Sequence, residues 1–271
     1  MLRTFRRSIV IALLSAFAVS YAFAQAPPPG KPAPFKFVDG EAFRYEGKLS
    51  KIIQGLSVAE LKFDVSRVPD TSNFVIKTEA TSKGTLLKLF RFSFLQQYES
   101  VVDGDLMRIL KTTKHDVQKE RVRDSIADFD YSEGRVTYIE TDPLDPNRPP
   151  RRIASEMTNS SVYDLVSGIY ALRSLPLAVG ASFDMLISDS GLIYKVPIRV
   201  TAREIQKSEL GKIMCFRVEP LVFGKDRLIE QKGNMLIWIT DDARRIPVRG
   251  RIDTTYGKIE VKIKSVTTPM P

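Results

Sequence analysis

The chain has 271 residues, of which 43% are hydrophobic and 27% are charged, with a formal net charge of +9, one cysteine and one histidine. A single cysteine excludes an internal disulfide, and the two counts together exclude zinc sites built on several cysteines or histidines. The positive charge is scattered rather than gathered into one stripe, which argues against nucleic acid as a partner.

Residues 1–24 have the three parts of a secretory signal peptide. Three arginines within the first seven residues precede the apolar run Ile9–Val19, and Ala22-Phe23-Ala24 is an A-x-A cleavage site. The run is too short to cross a bilayer as a helix, so a retained N-terminal anchor is the weaker interpretation. Because no cysteine follows the run, we expect an exported, periplasmic protein that is not a lipoprotein and keeps no transmembrane segment after cleavage. Removing the three arginines leaves 38 basic and 32 acidic residues, a net charge of +6.

Residues 25–36, with the sequence QAPPPGKPAPFK, form a proline-rich segment. Such a segment cannot join a sheet and is expected to be an extended tether. We expect ordered structure from about Phe37, with residues 37–267 forming one β-rich domain that is long enough to bury a core.

Apolar and polar residues alternate along several stretches of this domain, most clearly in Ala59–Arg67, Tyr194–Ala202 and Ile246–Ile252. Side chains on a strand point alternately to opposite faces, so each stretch predicts a strand with one buried and one wet face, as in antiparallel sheets. Pro197 lies within such a stretch and predicts an edge strand or a bulge.

Short turn sequences separate these stretches, for example Asp103-Gly104-Asp105 and Lys232-Gly233. No helical periodicity separates consecutive strands, which counts against βαβ units. The predicted fold is therefore mainly β: a single antiparallel, strongly curved sheet or barrel-like meander with one short covering helix.

The covering helix is predicted at about 161–174, where apolar residues recur at helical spacing. Ser161 with Asp164 three residues later resembles a capping box, and Leu175-Pro176 ends the helix. A second helical turn is predicted at Thr85–Phe90.

The residues that could carry catalysis or a cofactor are few. His115 is predicted to be an exposed residue at a charged strand end, and no G-x-S-x-G elbow or glycine-rich phosphate loop accompanies it. Asp241 and Asp242 are adjacent and predict a polar hairpin turn rather than an acid–base pair. Cys215 is expected to be a buried apolar residue, with a reactive thiol as the alternative. We therefore expect no catalytic residues, no metal and no cofactor.

Two groups of residues are candidates for ligand contact. Arginines in the loop that follows Pro143 could bind an anionic headgroup or glycan, although such a loop is more often only solvated. The strand Met235–Thr240 is apolar on both faces, so it either lies under the helix or faces an internal cavity. The predicted anion contacts are Arg148, Arg151 and Arg152, and the predicted apolar pocket lining is Leu86, Phe90, Leu165, Ile169, Leu172 and Trp238.

The C-terminal half resembles DUF3108, a family of exported bacterial proteins of unknown function. The most specific segment runs from Lys232-Gly233 through Trp238-Ile239-Thr240-Asp241-Asp242-Ala243-Arg244-Arg245-Ile246-Pro247-Val248. The resemblance extends loosely over 37–266 and implies a β-rich periplasmic protein, with no catalytic residue to carry over. The other residues that carry it are Asp164, Tyr170 to Leu177, Gly180, Phe183, Tyr194 to Val196, Arg203-Glu204, Gly40-Glu41, Phe43 to Tyr45, Ser82 to Gly84 and Lys88 to Phe90.

Three functions are compatible with these features. The first is a non-enzymatic binding or carrier module for an apolar or amphiphilic ligand, such as a lipid. The second is an envelope assembly or interaction factor that binds a partner protein or a glycan, and the third is a hydrolase that uses carboxylates alone. A void lined by the apolar residues would favour a carrier, whereas a solid core would favour an interaction surface.

Overall fold

The computed structural model describes residues 35–50, 56–83, 93–158, 160–255 and 257–269. The predicted signal peptide at 1–24, nearly all of the predicted tether at 25–36 and the helical turn predicted at Thr85–Phe90 lie outside these residues.

The described chain forms fifteen strands and one helix, α1. The strands are β1 (Ala42–Ser50), β2 (Leu56–Arg67), β3 (Phe74–Ser82), β4 (Phe94–Asp103), β5 (Arg108–Gln118), β6 (Arg121–Asp130), β7 (Arg135–Thr141), β8 (Arg151–Glu156), β9 (Val162–Tyr163), β10 (Ser182–Asp189), β11 (Leu192–Ser208), β12 (Gly211–Pro220), β13 (Gly233–Thr240), β14 (Pro247–Thr254) and β15 (Gly257–Thr267), and α1 is Leu165–Ser174.

All fifteen strands belong to one sheet in the order β8-β7-β6-β5-β4-β3-β2-β1-β15-β14-β13-β12-β11-β10-β9. Consecutive strands pair antiparallel wherever they are neighbours, and β1 pairs with β15 at the centre; only the two-residue β9 pairs parallel, with β10. The sheet does not close, so β8 and β9 are its edges. The predicted mainly β, antiparallel, barrel-like fold with a helix is confirmed.

The alternation in the sequence corresponds to the two faces of the sheet. In β2, Phe63 and Val65 are buried while Asp64 and Ser66 are exposed. The prediction from Pro197 was wrong in part: β11 lies inside the sheet between β10 and β12, and its bulge falls between Val200 and Ala202. Pro197 is tolerated because the ladder with β12 ends beside it, so its missing N–H costs at most one bond at the ladder's end.

The helix begins later than predicted. Asp164 is its N-cap: the carboxylate accepts the backbone N–H groups of Val166 and Ser167, and the Ser167 hydroxyl accepts the Asp164 N–H. Residues 162 and 163 instead form β9, consistent with the strand preference of β-branched and aromatic residues. The capping box therefore runs from Asp164 to Ser167 rather than from Ser161 to Asp164. The positive end of the helix dipole also stabilises a carboxylate at the cap.

The helix packs between two groups of buried side chains on the sheet. Tyr170 lies against the rings of Phe37 and Phe43, with centroids 5.7 and 6.2 Å away. Leu172 belongs to a second cluster with Ile198 and other residues of β10 to β13. The helix therefore fills the space between two parts of one curved sheet.

A buried ion pair fixes the end of this helix. The Arg173 guanidinium binds both carboxylate oxygens of Glu41, at 2.6 and 2.7 Å, and their side chains are only 2% and 3% exposed. Arg173 also donates to the backbone carbonyl of Arg244 and lies over the rings of Phe35 and Phe43. One side chain thus connects α1 to the start of β1 and to the turn between β13 and β14.

Replacing Arg173 with methionine should lower the free energy of unfolding by about 3–5 kcal/mol, because Glu41 is left buried without a partner. Urea denaturation would measure the loss. The control Arg44→Met breaks the exposed pair with Asp64 and should cost less than about 1 kcal/mol. The double variant Arg173→Met/Glu41→Leu should recover most of the stability. Equal losses in the two single variants would contradict this account.

The tip of the β10–β11 hairpin packs closely against the inner face of β7 and β8. A Cβ on Gly191 would lie 2.5 Å from the Cβ of Tyr138 and 3.1 Å from that of Ile153, and the Gly191 carbonyl accepts the Ser155 hydroxyl at 2.7 Å. These contacts connect β11 to the edge of the sheet formed by β8.

We expect Gly191→Ala to lower the free energy of unfolding by about 1–3 kcal/mol more than Gly211→Ala. Both glycines have positive φ, at 81° and 91°, so alanine is strained at both. Only Gly191 has atoms within 4 Å of the added carbon. The two variants therefore separate crowding from backbone strain in a urea titration, and indistinguishable midpoints would mean that the hairpin tip is not tightly packed.

Candidate functional site

The inner face of strands β3 to β7 changes from apolar to charged along the strands. Directly opposed residues form rows across the sheet, and successive rows are about 7 Å apart because alternate residues share a face. In order, the rows contain Phe74, Val102 and Ile109; then Ile76, Ser100, Thr112, Ala127 and Tyr138; then Thr78, Tyr98, Lys114, Ser125 and Glu140; and last Gln96, Asp116 and Arg123.

The helix N-terminus closes the middle of this face. The Asp164 carboxylate, which caps the helix, also accepts the hydroxyls of Ser100 at 2.5 Å and Thr112 at 2.7 Å. Asp164 is 3% exposed, so the carboxylate is held inside the domain entirely by hydrogen-bond donors. It serves as a structural anchor between α1 and the rows of β4 and β5.

A small cavity of about 30 Å³ lies beside this carboxylate, with Tyr98, Lys114 and Leu165 among its lining residues. This volume holds one or two water molecules, whereas pockets for small-molecule ligands measure about 300–1,000 Å³. Burial acts to lower the pKa of Lys114, but the neighbouring Tyr98, Asp116 and Asp189 raise it above its usual value overall. The amine therefore stays protonated and is unsuited to act as a base.

The last row leads to a charged end of the sheet. The Asp116 carboxylate accepts the side-chain amides of Gln96 and Gln118, at 3.1 to 3.2 Å. The Arg123 guanidinium binds the Asp142 carboxylate at 2.5 Å. Asp116 is buried, Gln96, Arg123 and Asp142 are half-buried, and Gln118 is exposed, so ordered polar groups lead from the interior to the solvent at this end.

An open groove of about 560 Å³ adjoins these residues. Amide, aromatic and basic side chains meet in it. We call the groove together with the adjoining charged side chains the polar mouth; it consists of Ser93, Phe94, Gln96, Gln118, Lys119 and Arg121 with Asp116, Arg123, Glu140, Asp142, Arg148 and Arg151.

Of the three arginines predicted to contact anions, two lie at the polar mouth and one does not. Arg148 lies 3.6 Å from the Asp142 carboxylate, and Arg151 is directly opposite Glu140, so both belong to the polar mouth. Arg152 follows Arg151 along β8 and therefore points to the outer face. All three are exposed.

Within the described residues, the side chains predicted to line an apolar pocket do not lie together in one pocket. Leu165 borders the small cavity and is 37% exposed. Ile169 packs against one core cluster, whereas Leu172 belongs to the other. Leu86 and Phe90 lie outside the described residues.

Trp238 is 3% exposed and belongs to the same core cluster that Ile169 packs against, whereas its neighbour Ile239 belongs to the other cluster. The Trp238 indole N–H donates to the Glu204 carboxylate at 2.6 Å, and the Arg249 guanidinium lies 4.5 Å from the ring centroid. Arg249 in turn donates to the amide oxygen of Gln206. With its N–H bonded and its ring covered by an arginine, Trp238 packs as a structural residue rather than lining an apolar void.

The remaining predicted residues have structural partners. His115 lies within β5, not at a strand end as predicted, and its Nδ1 is 2.5 Å from the Asp124 carboxylate on the outer face. Asp242 accepts the backbone N–H groups of Arg244 and Arg245 in the turn after β13, which confirms the predicted hairpin turn. Cys215 is fully buried, as expected. In the described ranges no three histidine, cysteine or acidic residues are placed to hold a metal ion.

Burial raises the pKa of the Cys215 thiol to about 12. The thiolate is the reactive form, so the folded protein should react with a thiol reagent at pH 8 far more slowly than the same protein unfolded in urea. Following the absorbance of a disulfide reagent would measure both rates. Rapid modification of the folded protein, at a rate near that in urea, would show that the thiol is accessible.

Sequence reasoning missed most of the polar mouth. Its signal was nevertheless present, since Gln96 and Gln97, and likewise Lys114 and His115, place polar side chains on both faces of β4 and β5. A strand that is polar on both faces cannot contribute an apolar inner face along its whole length.

Comparison with known proteins identifies the family. A family model described as protein of unknown function, DUF3108, matches residues 43–264. Among solved structures, a β-barrel-like protein of the domain of unknown function DUF1849 from Brucella abortus is 9% identical, with a TM-score of 0.62 and coverage of 88% of this chain and 100% of that chain. A DUF1089 family protein from Pseudomonas aeruginosa is 11% identical, with a TM-score of 0.36 and coverage of 73% and 92%.

No curated protein matches the chain. Among the described residues, none of the helical structure has the length and apolar character that a membrane crossing requires. The likeness to the DUF1849 protein concerns the fold alone. Since the family model spans most of the sequence, the chain belongs to the DUF3108 family of proteins of unknown function.

Proposed function

We propose that this protein is an exported, non-enzymatic binding module of the cell envelope. Its ligand is the anionic, hydroxyl-rich part of an envelope glycan or glycolipid, and the binding site is the polar mouth. The N-terminal leader at residues 1–24 supports export to the periplasm. The mixture of amide, carboxylate and basic groups at the mouth supports a polar ligand.

The arrangement around Asp116 carries this proposal. The carboxylate is fixed by the amides of Gln96 and Gln118, and both amides also border the open groove. Side-chain amides have both donors and acceptors, which suits sugar hydroxyls, because each hydroxyl oxygen can donate one hydrogen bond and accept others. Phe94 lines the same groove.

The basic residues favour an anionic ligand. Lys119, Arg121 and Arg151 are exposed around the mouth, and Arg148 contributes a guanidinium that Asp142 only partly neutralises at 3.6 Å. Arginine binds carboxylate and phosphate groups with paired hydrogen bonds. Because these side chains are exposed, their contribution to binding is screened by salt.

The interior provides less support for carriage of a whole lipid. The inner face beside the helix leaves only about 30 Å³ next to Asp164. An acyl chain needs a far larger cavity. A glycolipid would therefore be held by its headgroup, with its chains outside the described core.

The polar mouth also supports binding rather than hydrolysis. Its carboxylates already have partners: the two amides on Asp116, Arg123 and Arg148 on Asp142, and the Tyr138 hydroxyl on Glu140 at 2.8 Å. Hydrolysis of a glycosidic bond requires one protonated and one free carboxyl group on either side of the bond.

Calorimetric titration of the mature protein with the lipid-free acidic polysaccharide of the envelope tests the proposal. The double variant Arg121→Glu/Arg151→Glu should weaken binding by about tenfold or more, because two attractive contacts become repulsive. Its control, Arg135→Glu/Arg199→Glu, makes the same charge change at exposed positions away from the mouth and should bind as the wild type does.

Vesicles with and without an acidic glycolipid separate the two sources of the headgroup. Binding to glycolipid vesicles alone would assign the site to the lipid-linked form. Unchanged affinity of the mouth variant for both probes, or equal binding to neutral dextran, would contradict the proposal.

A further inference from the structure

The free edge of the sheet at β8 has an unusual self-complementary pattern. In the described part of the chain, β8 pairs only with β7. The N–H of Met157 donates to the carbonyl of Gly134 at 2.6 Å, which makes these two opposed residues a hydrogen-bonded pair. Because such pairs alternate along an antiparallel ladder, Arg152, Ala154 and Glu156 direct their backbone N–H and C=O groups away from β7.

The same three residues present their side chains on the outer face. Arg152, Ala154 and Glu156 are all exposed, whereas Ile153 and Ser155 between them are partly buried toward the inside. Within the described residues, neither the Arg152 guanidinium nor the Glu156 carboxylate forms an ion pair within 4 Å, although Glu156 lies directly opposite Arg135 on β7. The two are about 13 Å apart along one strand, too far to pair with each other.

We propose that β8 pairs antiparallel with β8 of a second copy of this chain. With Ala154 on the two-fold axis, Arg152 lies directly opposite Glu156 of the second copy, and the reverse contact forms on the other side. Alanine at the axis lets the two copies approach closely. Both charged pairs lie on the outer face, where directly opposed opposite charges stabilise paired strands. The proposal goes beyond ligand binding because these residues are not part of the polar mouth.

The ends of β8 fix this register. Pro150 occupies the next outward position before Arg152 and has no N–H to donate, so pairing stops there. A shift of the second strand by two residues would oppose Arg152 with Ala154 and lose both charged contacts. Parallel pairing in register would instead oppose like charges. The antiparallel arrangement centred on Ala154 is therefore the one that the edge favours.

The edge is also held in place for pairing. On its inner side, the β10–β11 tip contacts β8 through the Ser155 hydroxyl and the Gly191 carbonyl, 2.7 Å apart. As far as the described ranges extend, that contact leaves the outer face and the outward backbone groups of β8 uncovered. The strand is thus ordered before a second copy arrives, which lowers the entropy lost on pairing.

Sedimentation of the mature protein over a range of concentrations tests the proposal. The wild type should show a reversible dimer, whereas Arg152→Glu and Glu156→Arg should each weaken dimerisation by about tenfold or more. An equimolar mixture of these two variants should dimerise again, because each contact then joins opposite charges. The double variant Arg152→Glu/Glu156→Arg should also dimerise. A wild type that stays monomeric, or variants whose dimers are unaffected, would overturn the proposal.

Disulfide trapping gives an independent measurement of the register. Ala154→Cys places a thiol on the proposed axis, where opposed Cα atoms lie about 5.5 Å apart, within the range of a disulfide. The native Cys215 is buried and does not compete. Thr137→Cys is the control, since Thr137 is the exposed neighbour of Ala154 on β7. Oxidation should crosslink the Ala154→Cys protein and not the control; equal crosslinking of both would contradict the register.

Discussion

The buried ion pair between Glu41 and Arg173 is the constraint on which the arrangement of this domain depends. Removing two charges from water is costly, and the cost is offset only when the geometry is good and further hydrogen bonds are made. Here two short contacts, a bond to the Arg244 carbonyl and stacking on Phe35 and Phe43 meet that condition. Since these contacts come from distant parts of the chain, the pair fixes the helix against the centre of the sheet.

The position of the helix determines where the inner face is apolar and where it is polar. With Arg173 anchored at one end of α1, Asp164 at the other end reaches Ser100 and Thr112 on neighbouring strands. The apolar rows lie on one side of this contact, under the helix. The rows beyond it contain Lys114 and Asp116 and continue to the solvent, which is why the candidate site lies at an end of the sheet and not inside a cavity.

Much of the fold could be predicted from the sequence because it depends on local patterns. Alternation such as that of Phe63 to Ser66, and turn residues between the strands, are enough to indicate an antiparallel meander. The helix was predicted by its spacing, although its start was placed too early because two capping patterns overlap at Asp164. The sequence pattern could not distinguish these two caps. The hydroxyls of Ser100 and Thr112, which donate to the Asp164 carboxylate and hold it at the cap, come from strands more than fifty residues away.

The candidate site could be predicted only in part, because it depends on which strand faces meet. Arg148 and Arg151 were candidates from composition, but their proximity to Glu140 and Asp142 follows from the register of β7 and β8. Trp238 illustrates the same dependence. Its apolar neighbours left open whether its strand packs under the helix or faces a cavity. The contacts of Trp238 with Glu204 and Arg249 come from other strands, and the apolar stem of an arginine can cover a ring while its charge stays hydrated.

An open sheet leaves a physical problem that a closed barrel avoids, since the outward backbone groups of an edge strand remain unpaired. Charged residues usually protect such an edge because they make pairing with another strand unfavourable. On β8, however, Arg152 and Glu156 have opposite signs and equal distances from Ala154, so the charges that repel a parallel strand in register attract an identical antiparallel one. Pairing of this kind would use the outer face and leave Arg151, which points to the inner face, free to serve the polar mouth. The alternation of side chains along one short strand can therefore separate a surface for self-association from a surface for a ligand.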